Sequence, residues 1–433
     1  MKGKPNIILF ITHDQGQFLG CYNSPQTPNS LNTPNLDKLA NKGIRFTNYF
    51  CTAPQCSPSR SSILTSLYPH QNKLMGLVHR GWTLPPINKT LPMYLKENGY
   101  STHLIGLQHE SRDPTTLGYD TISKRKREFR YSCKNMEKIY YRFLYDHKNE
   151  EKPFYACFGV WEAHRPFKGY GDSVDPNKVK IPPYLPNHQS IKEDLAEYYS
   201  AIHVIDKTIG VLINYLEDIG LRDKTLFIYT TDHGEPYPRA KCTLYDPGIK
   251  TSLLISLPNS EIFSNGAVHN QMVSNVDLLP TLLDFIGGDI PKQIEGKSFL
   301  SCLANNDQPF REAIFTEKSF HEFYDPIRSI RTKEYKYIIN FEKMERSYQI
   351  DSFYANDPIG KYIEKLINIP RSEEELYNLN KDPTEMDNLA YDKSYKDIKI
   401  ELRQKLFNWM KKTDDPIIKG KIKELRGEPV THY

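Results

Sequence analysis

Two doublets, His13-Asp14 and Asp232-His233, each join an imidazole to a carboxylate, and each closes a short apolar run. The run Asn6 to Phe10 precedes the first and Leu226 to Tyr229 the second. Thr102 to Ile105 leads likewise into Gly106-Leu107-Gln108-His109-Glu110, and Phe154 to Val160 into Glu162-Ala163-His164. Carboxylates packed together repel unless a cation or a shared proton neutralises them, so the mirrored doublets suggest a divalent metal. Either doublet alone reads equally well as a helix cap or loop anchor. The most specific pattern is Cys56-Ser57-Pro58-Ser59-Arg60, running on into Ser61-Ser62-Ile63-Leu64-Thr65. A cysteine ahead of a proline and an arginine in a Ser-rich turn is an odd structural choice. An inert cysteine at a helix start, with Pro and Arg in the first turn, would give the same residues.

Those side chains need a scaffold that gathers them. Continuous apolar runs suit strands buried on both faces, as in a parallel sheet. Helical stretches lie between them at Asn35 to Lys42, Leu91 to Asn98 and Glu193 to Ile219. In the last, Leu195, Tyr198, Ile202, Ile205, Ile209, Leu212 and Leu216 recur at helical spacing. The alternation predicts an α/β fold, a large doubly wound sheet flanked by helices, with ligands at the carboxyl ends of its strands. All four polar clusters fall at such ends. Past residue 310 the texture changes: Ile327 to Ile339 and Tyr348 to Tyr354 read as strands, Ser394 to Lys411 as an amphipathic helix. The expected division is a catalytic domain over 1–310 and a C-terminal subdomain over 311–433, an antiparallel sheet plus helix that completes the substrate pocket. The basic stretch Arg112 to Glu151 has too weak a period to place.

Composition narrows the partners. The 433 residues carry 57 Lys+Arg against 53 Asp+Glu, a net +4, which gives no charge-based case for nucleic acid. At 38 % hydrophobic the chain can build a sizeable core. No apolar run approaches the roughly 20 residues of a membrane span. Seven scattered cysteines without a C-x-x-C pair, and a start lacking the features of a signal peptide, lead to the expectation of reduced thiols in a cytoplasmic protein.

With C-x-P-x-R and an Asp-His-Gly strand end in hand, the sequence resembles the sulfatase family of the alkaline-phosphatase-like superfamily. The resemblance covers most of the chain. Thr33-Pro34-Asn35-Leu36-Asp37 and Gly43-Ile44-Arg45-Phe46-Thr47-Asn48 are similar to the family's opening, and Glu375-Leu376-Tyr377-Asn378-Leu379 with Asp382-Pro383 to its C-terminal signature. His70-Gln71-Asn72, Met75-Gly76-Leu77, Leu244-Tyr245 and Trp409 before Asp414-Asp415-Pro416 are most similar to its sulfamidase, or heparan N-sulfatase, branch.

The resemblance implies a sulfohydrolase in which a maturation enzyme oxidises Cys56 to formylglycine, whose hydrate attacks sulfur and later expels sulfate. It implies a divalent metal, Ca²⁺, held by His13, Asp14, Asp232 and His233 with the group at position 56. Arg60 would hold the hydrate, Lys241 the sulfate oxygens, His109 would assist proton transfer, and His164 would protonate the leaving atom. In the C-terminal part, His321, Glu322 and Arg328 would meet the sugar, most simply N-sulfoglucosamine; the bland alternative is a surface ion pair between Glu322 and Arg328. Three positions depart from the family pattern. His13 replaces an aspartate, a softer ligand set that also suits Mn²⁺ or Zn²⁺. Leu107 stands where a lysine bridges hydrate and sulfate, leaving Lys241 or Arg80 to compensate. Ser66 stands where the motif usually has glycine. Competing expectations are an O-sulfatase, a phosphonate or phosphoester hydrolase, and an inactive sulfated-sugar binder.

Overall fold

The computed structural model describes residues 3–22, 31–123, 131–167, 169–170, 173–264, 266–303, 309–343 and 370–424. The apolar runs are strands, as their hydropathy predicts: β1 (Asn6–Thr12), β3 (Ser101–Gly106), β5 (Phe154–Gly159) and β6 (Thr225–Thr231). The sequence reading passed over β2 (Ile44–Phe50), β4 (Thr121–Ile122), β7 (Lys250–Ser256), β8 (Val268–His269) and β9 (Val273–Ser274). Together they make a nine-stranded mixed sheet ordered β4-β3-β5-β1-β6-β7-β2-β8, with β9 also on β2. The four strands that carry the polar clusters are therefore consecutive neighbours, β3-β5-β1-β6, and all run parallel.

Alternate residues of β1 serve opposite faces of the sheet. Ile7, Leu9 and Ile11 join one core with Leu91, Leu95, Leu279 and Leu283, while Ile8 and Phe10 join the other. That second core is capped by helix Gln189–Asp218, which contributes Leu195, Tyr198, Ile202, Ile205, Ile209 and Leu212. Helix Cys133–His147 packs beside it through Met136, Tyr140 and Leu144, and fills part of the stretch whose period was too weak to read.

A separate antiparallel sheet follows: β10 (Ile314–Phe320), β11 (Tyr324–Arg331), β12 (Tyr335–Asn340) and β13 (Glu374–Asn378), in that order. The single strand read over Ile327 to Ile339 is in fact a hairpin, β11 and β12. The expected strand over Tyr348 to Tyr354 lies outside the described residues. Helix Lys396–Lys412 closes the sheet with Leu402, Leu406, Trp409 and Met410, and these share one core with Ile7 and Leu9. Shared packing of this kind fixes where the loop after β10 stands relative to the strand ends. Among the described residues, no helix is long and apolar enough to cross a membrane.

Candidate active site

β1 and β6 pair in register, Thr12 opposite Thr231, so His13 and Asp232 leave the sheet side by side. Asp14 then takes a left-handed conformation (φ +48°), held by its N–H donating to Asp232 Oδ1 (3.0 Å) and its carbonyl accepting from the Tyr198 hydroxyl (2.9 Å). A side chain tolerates that conformation only where surrounding bonds enforce it. Cys56 is the first residue of helix Cys56–Thr65, every residue of which is buried. The expected turn is thus a helix start buried under the sheet's edge. Its serines are satisfied internally: Thr52 Oγ1 donates to Ser62 Oγ (2.7 Å), Ser61 Oγ to the Pro58 carbonyl (2.7 Å), and Ser59 Oγ to the Asp232 carbonyl. Ser66 caps this helix at φ +56°, where glycine is easiest, and its hydroxyl bonds the Val276 carbonyl (2.5 Å) and the Gly296 N–H (3.2 Å).

One ligand atom from each of His13, Asp14, Cys56, Asp232 and His233 lies within 4.8 Å of all the others, and all five residues are buried. His13 Nδ1 is 3.1 Å from Asp14 Oδ1 and 3.2 Å from Asp232 Oδ2. His233 Nε2 is 3.1 Å from Asp14 Oδ1 and 3.3 Å from Cys56 Sγ. His233 Nδ1 lies 2.9 Å from the Gly234 carbonyl, an atom that only accepts, so Nδ1 carries the proton and Nε2 turns a lone pair inward. His13 Nε2 meets His109 Nδ1 at 3.2 Å, which likewise leaves Nδ1 for the centre. This donor set fits a divalent ion.

Two cations hold the outer edge. Arg60 Nε donates to Asp232 Oδ2 (2.9 Å) and its Nη2 to the Thr12 carbonyl (3.0 Å), while Lys241 Nζ donates to Asp14 Oδ2 (2.7 Å). Burial disfavours ionised Asp14, yet Lys241, His164 and His233 hold its carboxyl well below the usual range. Burial likewise opposes Asp232, but His13, His233 and Arg60 lower it. Since Arg60 and Lys241 already balance both carboxylates, an added divalent ion would leave net positive charge, which suits an anionic ester. Burial pushes the Cys56 thiol up, with Lys241 opposing. His109 falls well below the ordinary imidazole value through burial and the neighbouring His13 and Arg60. His164 is pushed down to about 3 by burial and Lys241. Its Nδ1 donates to the Arg165 carbonyl (2.6 Å), so Nε2 faces Lys241 Nζ (3.4 Å) and Asp14 Oδ2 (3.8 Å).

The residues read as substrate-binding divide. His321 is buried, and its pKa is well below the ordinary value through burial, with Lys241, Lys318, His79 and His233 adding to the shift. Glu322 lies on the rim, paired with Arg80 Nη2 at 3.2 Å. Arg328 corrects the expectation. It is fully buried opposite Glu317, and its nitrogens donate to both Asp415 oxygens, the Lys318 and Ile327 carbonyls and Ser319 Oγ, leaving no N–H for a sugar. The Glu322–Arg328 surface pair is not formed either. Leu107 is buried, with its N–H on the Gly159 carbonyl (3.0 Å).

Two neighbours escaped the sequence reading. The Trp161 ring lies 4.5 Å from His164 and 6.0 Å from His13, and its place three residues before His164 was the available signal. Asn275 Nδ2 bonds the Ser59 carbonyl (3.1 Å) and Oδ1 accepts from Thr52 N (3.2 Å), a clamp on the Cys56 helix that no local pattern announces.

Comparison with known proteins follows the same geometry. The sequence profile described as Sulfatase matches residues 5–288. The chain belongs to the sulfatase family. As a sulfatase it is a sulfuric ester hydrolase, and this family generally works through a formylglycine and a divalent metal. A second profile, N-sulphoglucosamine sulphohydrolase, C-terminal, matches residues 237–360. An ulvan-active sulfatase of Formosa agariphila is 31 % identical over 97 % of this chain and 82 % of its own. The N-sulphoglucosamine sulphohydrolase of Homo sapiens is 28 % identical over 95 % of this chain and 91 % of its own. A sulfatase structure from Bacteroides fragilis superposes with a TM-score of 0.78 at 19 % identity, covering 97 % of this chain and 98 % of that one, a likeness of fold.

Proposed function

We propose that this sulfatase acts on sulfated saccharides and removes the N-sulfate of N-sulfoglucosamine. The observation that carries this reading is the N-sulphoglucosamine sulphohydrolase profile over 237–360, a span that holds Lys241, His321 and Glu322 together. A formylglycine made from Cys56 by a maturation enzyme would supply the nucleophile, and a divalent ion, Ca²⁺ by preference for the carboxylates, would supply positive charge for the sulfate oxygens. His13, Asp14, Asp232 and His233 would hold it. Arg60 fixes Asp232 and orients the group at position 56, which also sits at a helix N-terminus favourable to negative charge. Lys241 stands beside Asp14 as the cation for the sulfate, in the role that Leu107 cannot fill. His109 backs His13 and takes up a proton, and His164 turns Nε2 beside Lys241 Nζ, on the side from which the leaving nitrogen would take its proton. His321 and Glu322 recognise the sugar.

The test uses protein co-expressed with a maturation enzyme. N-sulfoglucosamine should be desulfated with a higher kcat/KM than glucosamine 6-sulfate. Glu322→Gln should lower kcat/KM for the sugar about tenfold, as for a lost charge-assisted hydrogen bond, and leave a small aryl sulfate unaffected. Preference for an O-sulfate would overturn the N-sulfatase reading, and equal losses on both substrates would place Glu322 in the fold rather than at the sugar.

A further inference from the structure

The opposite end of the sheet carries a cavity that the catalytic chemistry does not use. β7 runs antiparallel to β6, so Ser256, which faces Phe227, lies near the amino end of the parallel strands, away from His13 and Asp232. Around it the ends of helices Pro34–Lys42 and Gln189–Asp218 and the loop after β7 line an open cleft of about 660 Å³. That is the size of a small-molecule site and far larger than an inorganic anion needs.

Arg222 sits in its wall, buried to 7 % exposure. Its guanidinium donates to the Thr225 carbonyl (3.0 Å) and Ser256 Oγ (2.7 Å), and among the described residues no carboxylate lies within 4 Å of it. A buried guanidinium is ordinarily matched by a carboxylate or phosphate. Burial lowers its pKa to about 10, with Glu217 and Asp223 opposing from the exposed rim, so it stays charged at neutral pH. Lys38 and Lys42 stand one helical turn apart on the same wall, both exposed, and Asn41, Asn214 and Asn259 add amides that can both donate and accept. Amides of this kind match the hydroxyls of a sugar, and Arg222, Lys38 and Lys42, which outnumber the lining carboxylates Glu217 and Asp223, match an acidic substituent.

We propose that this cavity is a second, non-catalytic binding site for an anionic saccharide, with Arg222, Lys38 and Lys42 on its sulfate or carboxylate and the asparagines on its hydroxyls. The site is independent of which sulfate the catalytic centre removes. The Cys56→Ala protein, which cannot turn over, is titrated calorimetrically with a heparin-derived sulfated disaccharide. Two sites per chain are expected, and Lys38→Glu/Lys42→Glu should weaken one of them at least tenfold while leaving the other and the melting temperature unchanged. These lysines are exposed, so the variant tests charge without disturbing the bonds that Arg222 makes to the strand ends. A single site, or two sites indifferent to the charge reversal, would overturn the proposal. So would equal affinity for the unsulfated disaccharide, or inorganic sulfate binding the second site as tightly as the disaccharide does.

Discussion

Among the described residues, histidine and carboxylate gather in two buried groups, and the two are built in opposite ways. In the first, Lys241 and Arg60 take the outer oxygens of Asp14 and Asp232, while Asp14 Oδ1, His13 Nδ1, His233 Nε2 and Cys56 Sγ converge. In the second, His70, Glu317 and Asp415 also gather within 4.8 Å. There, however, Arg328 grips both oxygens of Asp415, and His70 uses its N–H (2.8 Å) and Nδ1 (2.9 Å) on the two oxygens of Glu317. Arg328 Nη2 also reaches Glu317 at 3.4 Å. A fork-shaped guanidinium that takes both oxygens of Asp415, with the Ile417 N–H on one of them (3.1 Å), puts a fixed cation where an ion would have to sit. The second group ties β10, β11 and the segment after the closing helix to Pro69–Asn72, and its purpose is architectural. Residue types do not separate a metal site from a brace; the direction of the bound cation's donors does.

The largest test of this contrast is Cys56→Ala. Turnover should fall by at least about 10³-fold, while chemical denaturation shows an unchanged fold, because the side chain is small and its loss breaks only contacts within the site. Substantial activity in that variant would remove position 56 from the chemistry. Breaking the brace should do the reverse. Arg328→Met leaves Asp415 and Glu317 buried without their cation and should cost about 3–5 kcal/mol in urea unfolding. A loss under 1 kcal/mol would show that the brace is dispensable.

Chelation sharpens the comparison. Stripping a divalent ion present at about 100 times its Kd should remove close to 3 kcal/mol of stability along with activity. Asp14→Asn should abolish this chelator-sensitive shift in thermal unfolding, and His70→Gln should preserve it. A shift that follows His70 instead would reverse the assignment of the two groups. The smallest effect concerns pH. Burial opposes ionisation of Asp325, yet Lys318 (2.5 Å) and Arg371 (2.6 Å) hold it at about 2. A carboxyl depressed on folding stabilises above its unfolded pKa near 3.8, and that contribution is lost as pH falls through about 2. The stability difference between the wild type and Asp325→Asn, about 2 kcal/mol near neutrality, should therefore shrink between pH 4 and 2. A difference that stays constant across that range would show that the pairing is not ionic.

Much of the centre was legible in the residue order. The runs ending at His13, His109, His164 and Asp232 had to be strands buried on both faces, and parallel strands present their ends to one edge of a sheet. The positions His13, Asp14, Asp232 and His233 were nameable for the same reason: each sits within a few residues of a strand that the apolar run defines. Cys56 stood out by its odd place ahead of Pro58 and Arg60, but its role, like Lys241 itself, entered only through the family pattern, since neither lies on a strand end. The C-terminal sheet was harder. β11 and β12 read as one strand because the turn between them, Thr332-Lys333-Glu334, carries no glycine or proline, and β10 and β13 were not distinguished at all.

The sequence by itself determined the class of the fold, the strand ends that bear chemistry and the family-defining cysteine, because these depend on hydrophobic period and short spacing. Tertiary structure alone decided which arginine stands beside the histidine-aspartate centre and which braces the C-terminal sheet. Arg60 and Arg328 are equally plausible cations on paper. One meets a single oxygen of Asp232 and leaves the centre open, whereas the other lies directly across the strand pair from Glu317 and within reach of Asp415, 87 residues away in the chain. Long-range pairings of that kind follow from how the two sheets pack, and packing is set by the shared core rather than by any neighbourhood in the sequence.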